Sequence, residues 1–185
     1  MSSTKKIGVL IGSLRKGSFS RRIAHAAIAL APESLSFTVI EIGGLSFFNQ
    51  DLEATPPADW VSFRDEIKAC DAILFVTPEY NRSVPGVLKN AVDVGSRPYG
   101  QGVLIGKPAA IISTSIGAVG GFGSNHHLRQ SLMFLNMPTL AQPEMYLGNS
   151  ATIVDEEEEV TNESTRDYLA NFGKTFADWV ERHGA

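Results

Sequence analysis

Three short stretches of the chain carry backbone and side chains suited to chemistry. The first is Gly12-Ser13-Leu14-Arg15-Lys16-Gly17-Ser18-Phe19-Ser20. Glycine and serine leading into a helix present free N–H groups, hydroxyl donors and the positive end of the helix dipole, and Arg15 adds a fixed charge. Together they make a cradle for an anion. It is not a P-loop, because Ser18 stands where the phosphate-binding lysine is required. Nor does it contain G-x-G-x-x-G, whose second glycine admits a pyrophosphate. A single terminal phosphate suits it, with ordinary turn residues as the bland alternative. The second stretch is Thr77-Pro78-Glu79-Tyr80-Asn81-Arg82-Ser83-Val84-Pro85-Gly86. Two prolines fix its backbone, so its amides can donate to the polar edge of a planar heterocycle while Tyr80 covers a face. A proline-bounded turn with a buried tyrosine would read the same way. The third, Ser113 to Gly123, has enough glycines to let a ligand or neighbouring backbone approach closely; a mobile loop is its alternative. His126 and His127 are adjacent on a helical pattern and point about 100° apart, which argues against one shared metal ion. No Ser-His-Asp or paired-carboxylate set stands out, so we assign no catalytic side chain. That fits chemistry carried by a bound cofactor.

These stretches need elements that hold them together. Short apolar runs at Ile7–Ile11, Phe37–Ile42, Ala72–Val76 and Ala109–Ile112, with a weaker one at Thr139–Ala141, alternate with helical stripes. Runs apolar on both faces belong to a parallel sheet covered by helices on each side. The stripes are Ile23, Ala27, Leu30 and Ala31; Trp60, Phe63, Ile67 and Cys70; Leu128, Leu132 and Leu135; and Leu169, Phe172, Phe176 and Trp179. Five βα units in this order predict an α/β, flavodoxin-like doubly wound five-stranded parallel sheet, order 2-1-3-4-5, with helices on both faces. Ligands of such sheets bind at the carboxyl ends of the strands, where all three stretches fall. The acidic run Asp155–Glu159 reads as a solvated loop before the last helix.

A chain of 185 residues, 43% hydrophobic, buries one core, so a single domain over 1–185 is expected. A net charge of −4 with mixed signs gives no broad basic face for nucleic acid. One cysteine, Cys70, and no zinc-like spacing fit a reducing compartment. The apolar run after Lys6 is too short for a signal peptide, and no stretch reaches membrane-spanning length. A cytoplasmic protein without membrane contact is the expectation.

At Gly12–Ser20, Thr77–Ala91, Gly106-Lys107-Pro108 and His127-Leu128-Arg129-Gln130 the chain resembles the NADPH-dependent FMN reductase family, and within it the bacterial chromate/quinone reductases. The likeness extends to about Gly148, with Pro78-Glu79-Tyr80-Asn81 its most specific segment. The resemblance implies noncovalent FMN, with NADPH or NADH as reductant. It implies Ser13, Leu14, Arg15, Ser18 and Ser20 around the phosphate, Pro78, Glu79, Tyr80 and Asn81 along the isoalloxazine, and Ser115 and Gly117 on its other side. It also implies quinones as acceptors and a homodimer or homotetramer; a nicotinamide and a quinone stacking in turn on one flavin face give ping-pong turnover, and Arg82 and Arg97 at the crevice mouth would favour anionic oxidants such as chromate. Phe47 and Phe48, two aromatics on one loop, give the oligomer a local motive.

Three other functions share parts of this pattern. A flavodoxin-type electron carrier would be strongly acidic around its flavin, whereas Arg15, Arg82 and Arg97 are expected in or near the crevice. A nucleotide-binding regulatory module would leave Pro78–Pro85 without a purpose. A flavin reductase or azoreductase of the same fold has no sequence feature to separate it from a quinone reductase.

Overall fold

The computed structural model describes residues 4–184; the first three residues and Ala185 of the expected domain lie outside the described residues. Successive residues of the buried runs face opposite sides of the sheet. In β1 (Lys5–Ile11), Ile7, Val9 and Ile11 join one core cluster and Leu10 the other. In β3 (Ala72–Pro78), Ala72, Leu74 and Val76 face the first and Ile73 and Phe75 the second. This two-sided burial is what the continuous apolar runs predicted. The strands β2 (Leu35–Val39), β1, β3, β4 (Ala109–Thr114) and β5 (Met145–Leu147) lie in the order 2-1-3-4-5, every pair parallel.

Helices α1 (Phe19–Ala29) and α6 (Glu163–His183) cover one face. Helices α2 (Ala58–Lys68), α3 (Gly86–Gly95) and α4 (Phe122–Phe134) cover the other. A short helix, α5 (Ser150–Ile153), follows β5. The starts of these helices are set locally. Ser18 caps α1 by accepting from the Arg21 N–H at 3.2 Å, α3 begins directly after Pro85, and α4 follows Gly121, whose φ of 76° a side chain would resist. Trp60, Phe63 and Ile67 are fully packed, as is Phe75. Truncating a ring such as Phe75 to alanine costs about 3–5 kcal/mol.

Two expected strands differ. β2 pairs only to Val39, and Ile40 and Ile42 continue as buried core residues of the following loop. The run at Thr139–Ala141 makes a single bridge, Thr139 to Ala109, and the fifth strand is Met145–Leu147 instead. Pro143 lies between the two segments and has no N–H to continue a ladder. In the acidic run, Glu156, Glu157 and Glu159 are exposed, whereas Asp155 is half-buried and accepts from the Glu159 N–H at 2.8 Å, and Glu158 reaches His25 of α1 at 2.6 Å.

Candidate functional site

The register brings the carboxyl ends of the strands level. Ile11 lies beside Val76, Pro78 beside Thr114, and Thr114 beside Leu147. The three loops therefore leave the sheet side by side. A cleft of about 210 Å³ opens between them, lined by Ser13, Arg15, Phe19 and Ser20 from the first loop, Pro78 to Tyr80 from the second and Thr114 to Ile116 from the third, with Ser150 at its floor. A second cleft of about 440 Å³ adjoins it and shares Arg15 and Tyr80, with Leu14 on its wall.

In the first loop the side chains of Ser13 and Ser20 are buried, and Leu14 and Arg15 are exposed. Among the described residues, the N–H groups of Ser13 through Ser20 donate to no protein acceptor. These are the free amides an anion would take, at the positive end of α1. Ser18 has a different place: it is the cap of α1 and does not line the cleft. Ser150 is 1% exposed, and its hydroxyl has no hydrogen-bond partner among the described residues. A buried hydroxyl without a partner is costly, and this one sits where a polar ligand would satisfy it. The cleft's serines, free amides and arginine fit the phosphate end of FMN.

The second loop is a tight turn. Tyr80 N–H donates to Ser83 O at 3.1 Å and Ser83 N–H donates back to Tyr80 O at 3.0 Å. The two residues between them are left-handed, Asn81 at φ 50° and Arg82 at φ 64°. The N–H of Tyr80 is thus used, and those of Glu79, Asn81 and Arg82 have no backbone acceptor among the described residues. The Glu79 side chain turns away toward α4, and Asn81 is exposed outside the cleft lining. In the third loop, Ser115 Oγ accepts from the Gly117 N–H at 3.1 Å, so Gly117 shapes the loop from outside the cleft. The loop is seated on β5 through Gly120, where a Cβ would meet Tyr146 backbone.

The arginines expected at the crevice mouth separate. Arg82 pairs with Glu79 at 3.1 Å. Arg97 follows α3, and a ten-residue helix spans about 15 Å. Within its own chain Arg97 therefore lies toward the amino ends of the strands, over Phe48 and 3.9 Å from Glu53. The two histidines also part: His126 meets the Tyr146 hydroxyl at 2.9 Å and His127 meets Ser83 Oγ at 3.0 Å. Burial, with the Glu144 carboxylate beside it, pushes Tyr146 up to about 12.

Phe19, Thr114 and Ile116, which lie in the stretches read from the sequence but were not assigned individually, line the cleft together with Ser150, which lies outside those stretches. Ser150 could have been found by the strand-end rule had the fifth strand been placed at Met145–Leu147.

The model of the NADPH-dependent FMN reductase family matches residues 5–152. The chain belongs to this family. A quinone reductase of Pseudomonas putida is 53% identical over 186 residues, covering both chains completely. A 2-hydroxy-1,4-benzoquinone reductase of a Burkholderia species is 46% identical over 175 residues, 95% of this chain and 96% of its own. Among solved structures, the flavoenzyme NAD(P)H:(acceptor) oxidoreductase FerB from Paracoccus denitrificans superposes with a TM-score of 0.92 at 39% identity, covering 98% of this chain and all of the other. The chain is thus an NAD(P)H-dependent oxidoreductase with FMN as its cofactor. An electron carrier without nicotinamide turnover does not describe this family.

Proposed function

We propose that this chain is a quinone reductase that takes electrons from NADPH or NADH and binds FMN with its phosphate in the first loop and its ring between the second and third. The observation that carries this reading is the set of unpaired donors on one cleft: the amides of Ser13, Arg15, Phe19 and Ser20, the Arg15 side chain, and the buried hydroxyl of Ser150, unpartnered among the described residues. Bound FMN supplies two-electron chemistry, accepting hydride from a nicotinamide and yielding two electrons to an acceptor. The chain's own groups bind and aim. Ser13 and Ser20 donate to phosphate oxygens beside the α1 amides. The N–H groups of Glu79 and Asn81 face the polar edge of the ring, and such preorganised donors favour negative charge there. Tyr80 and Ile116 are exposed on the cleft and would offer apolar surface to a planar substrate stacked on the ring. Nicotinamide and quinone take turns at one place, and quinones come forward as acceptors from the names of the relatives.

We further propose a homodimer or homotetramer in the cytoplasm, built on a single flavodoxin-like domain. The loop aromatics split: Phe48 stacks on Trp60 at 5.5 Å, while Phe47 is 80% exposed. A groove of about 450 Å³ at the far ends of α3 and α4, with Tyr99 and Phe134 on it, adds a second apolar face for a partner copy. No helix among the described residues is long and apolar enough to cross a membrane.

The test is direct. Purified protein should be yellow, bleached by NADPH or NADH without oxygen and restored by a quinone, with parallel double-reciprocal plots. A colourless protein that gains no flavin on addition of FMN, or plots that intersect, would contradict the shared-site reading.

A further inference from the structure

We propose that Glu79 is a positioning residue: its carboxylate ties the second loop to the first turn of α4 and so sets the separation of the two loops that bracket the isoalloxazine. This rests on the ring placement proposed above. The Glu79 side chain is 10% exposed, and Oε2 accepts from the Ser124 N–H at 3.2 Å. That amide belongs to the first turn of α4, where no helical carbonyl reaches it and where the dipole favours a negative group. The other oxygen accepts from Arg82 at 3.1 Å, but the guanidinium is 78% exposed, so this pair is solvated and adds little.

Two further contacts run between the same two segments. Thr77 Oγ1 meets Ser124 Oγ at 3.0 Å, and Ser83 Oγ meets His127 Nδ1 at 3.0 Å. Ser124 and His127 are three apart and share one helix face. Gly123 allows the approach: a Cβ there would stand 2.6 Å from Arg82 O and 3.0 Å from Glu79 Oε2. The second loop thus lies along the start of α4. The third loop runs directly into that start through Gly121, whose carbonyl accepts from the Asn125 N–H at 3.0 Å. One helical turn therefore anchors both walls.

The held segment needs an anchor. Asn81 and Arg82 occupy consecutive left-handed conformations; asparagine adopts this region readily, but Arg82 at φ 64° keeps it only when its surroundings impose it. Without the Glu79 contact the turn relaxes, and Tyr80 and the free amides beside it lose their aim. The carboxylate acts on the ring only through this loop.

The experiment titrates protein stripped of flavin with FMN and with lumiflavin, which is the ring without the ribityl phosphate, by fluorescence quenching. Glu79→Ala should weaken both ligands by the same factor, about tenfold, the size of one charge-assisted hydrogen bond. Glu79→Asp keeps the charge but stops one methylene short of Ser124. It should lose both ligands alike, and it serves if the alanine variant does not fold. Glu79→Gln retains an acceptor for the Ser124 N–H and should stay within about threefold of wild type, with an unchanged visible circular dichroism spectrum of the bound flavin. Wild-type lumiflavin binding by the alanine and aspartate variants, or equal losses in all three, would overturn the proposal. A Tyr80→Leu control separates the levels. If it loses lumiflavin while Glu79→Ala does not, only the anchoring role fails. If neither variant loses lumiflavin, the ring lies elsewhere and the site placement fails with it.

Discussion

Gly120 holds the third loop against the fifth strand, and replacing it with alanine strains the chain in two ways. Its φ is +64°, where an L side chain meets its own backbone, and an added Cβ would stand 2.5 Å from Tyr146 C, 2.7 Å from Tyr146 O and 2.8 Å from Leu147 N. The first effect costs about 1–2 kcal/mol. The second is an overlap with backbone, which no rotamer change relieves, and costs about 1–3 kcal/mol more. For a chain of this size each kcal/mol lowers the melting temperature by about 2–4 °C, so Gly120→Ala should melt on the order of 10 °C below wild type. Gly117 in the same loop is the control, because its added Cβ would meet nothing nearer than Ser115 Oγ at 3.7 Å. Gly117→Ala should melt within about 2 °C of wild type, as exposed substitutions usually do. Thermal unfolding of the flavin-free protein by far-ultraviolet circular dichroism measures both. A Gly120→Ala variant that melts with the Gly117→Ala variant would refute the reasoning, since it would mean that the loop is not seated on β5.

Arg15→Ala should weaken FMN about tenfold and leave riboflavin, which lacks the phosphate, nearly unchanged; equal losses in a fluorescence titration would place the phosphate elsewhere. Tyr146 is raised in the folded state, so the stability linked to it is fully present below pH 10 and is lost as pH rises toward about 12. Burial and Glu144 raise Tyr168 as well, so titration at 295 nm should show a late phase that loses one tyrosine in Tyr146→Phe, and a late phase unchanged in that variant would reassign it. Light scattering should give a particle of at least twice the 20.0 kDa chain at micromolar concentration, and a monomer would remove the oligomer proposal.

The strands buried on both faces were legible because a continuous run of Ile, Val, Leu and Phe has few other uses, and the parallel order followed from the alternation with helices. That Gly12 to Ser20 leads straight into α1 and lines a cleft was legible because the segment is contiguous and directly follows β1. The fifth strand was not. Its three residues carry no pattern long enough to detect, whereas Thr139–Ala141 has an apolar composition and pairs only once. That misplacement also hid Ser150. The direction of the Glu79 side chain was beyond the sequence for a different reason: it is decided by a helix start 45 residues away. The arginine expectation weighed Arg97 by its nearness in sequence to the second loop, and the length of α3 removed it from the mouth.

The two edges of the sheet determine how copies of the chain can meet. β5 offers three residues, with a proline two positions ahead, and β2 offers five, of which Ser36 and Thr38 face solvent. Neither edge is a long, flat, apolar template for adding another strand. The homo-oligomer proposed above would therefore be built through helices and loops and not by strand addition. The same short edges protect the chain from open-ended stacking when its concentration is high.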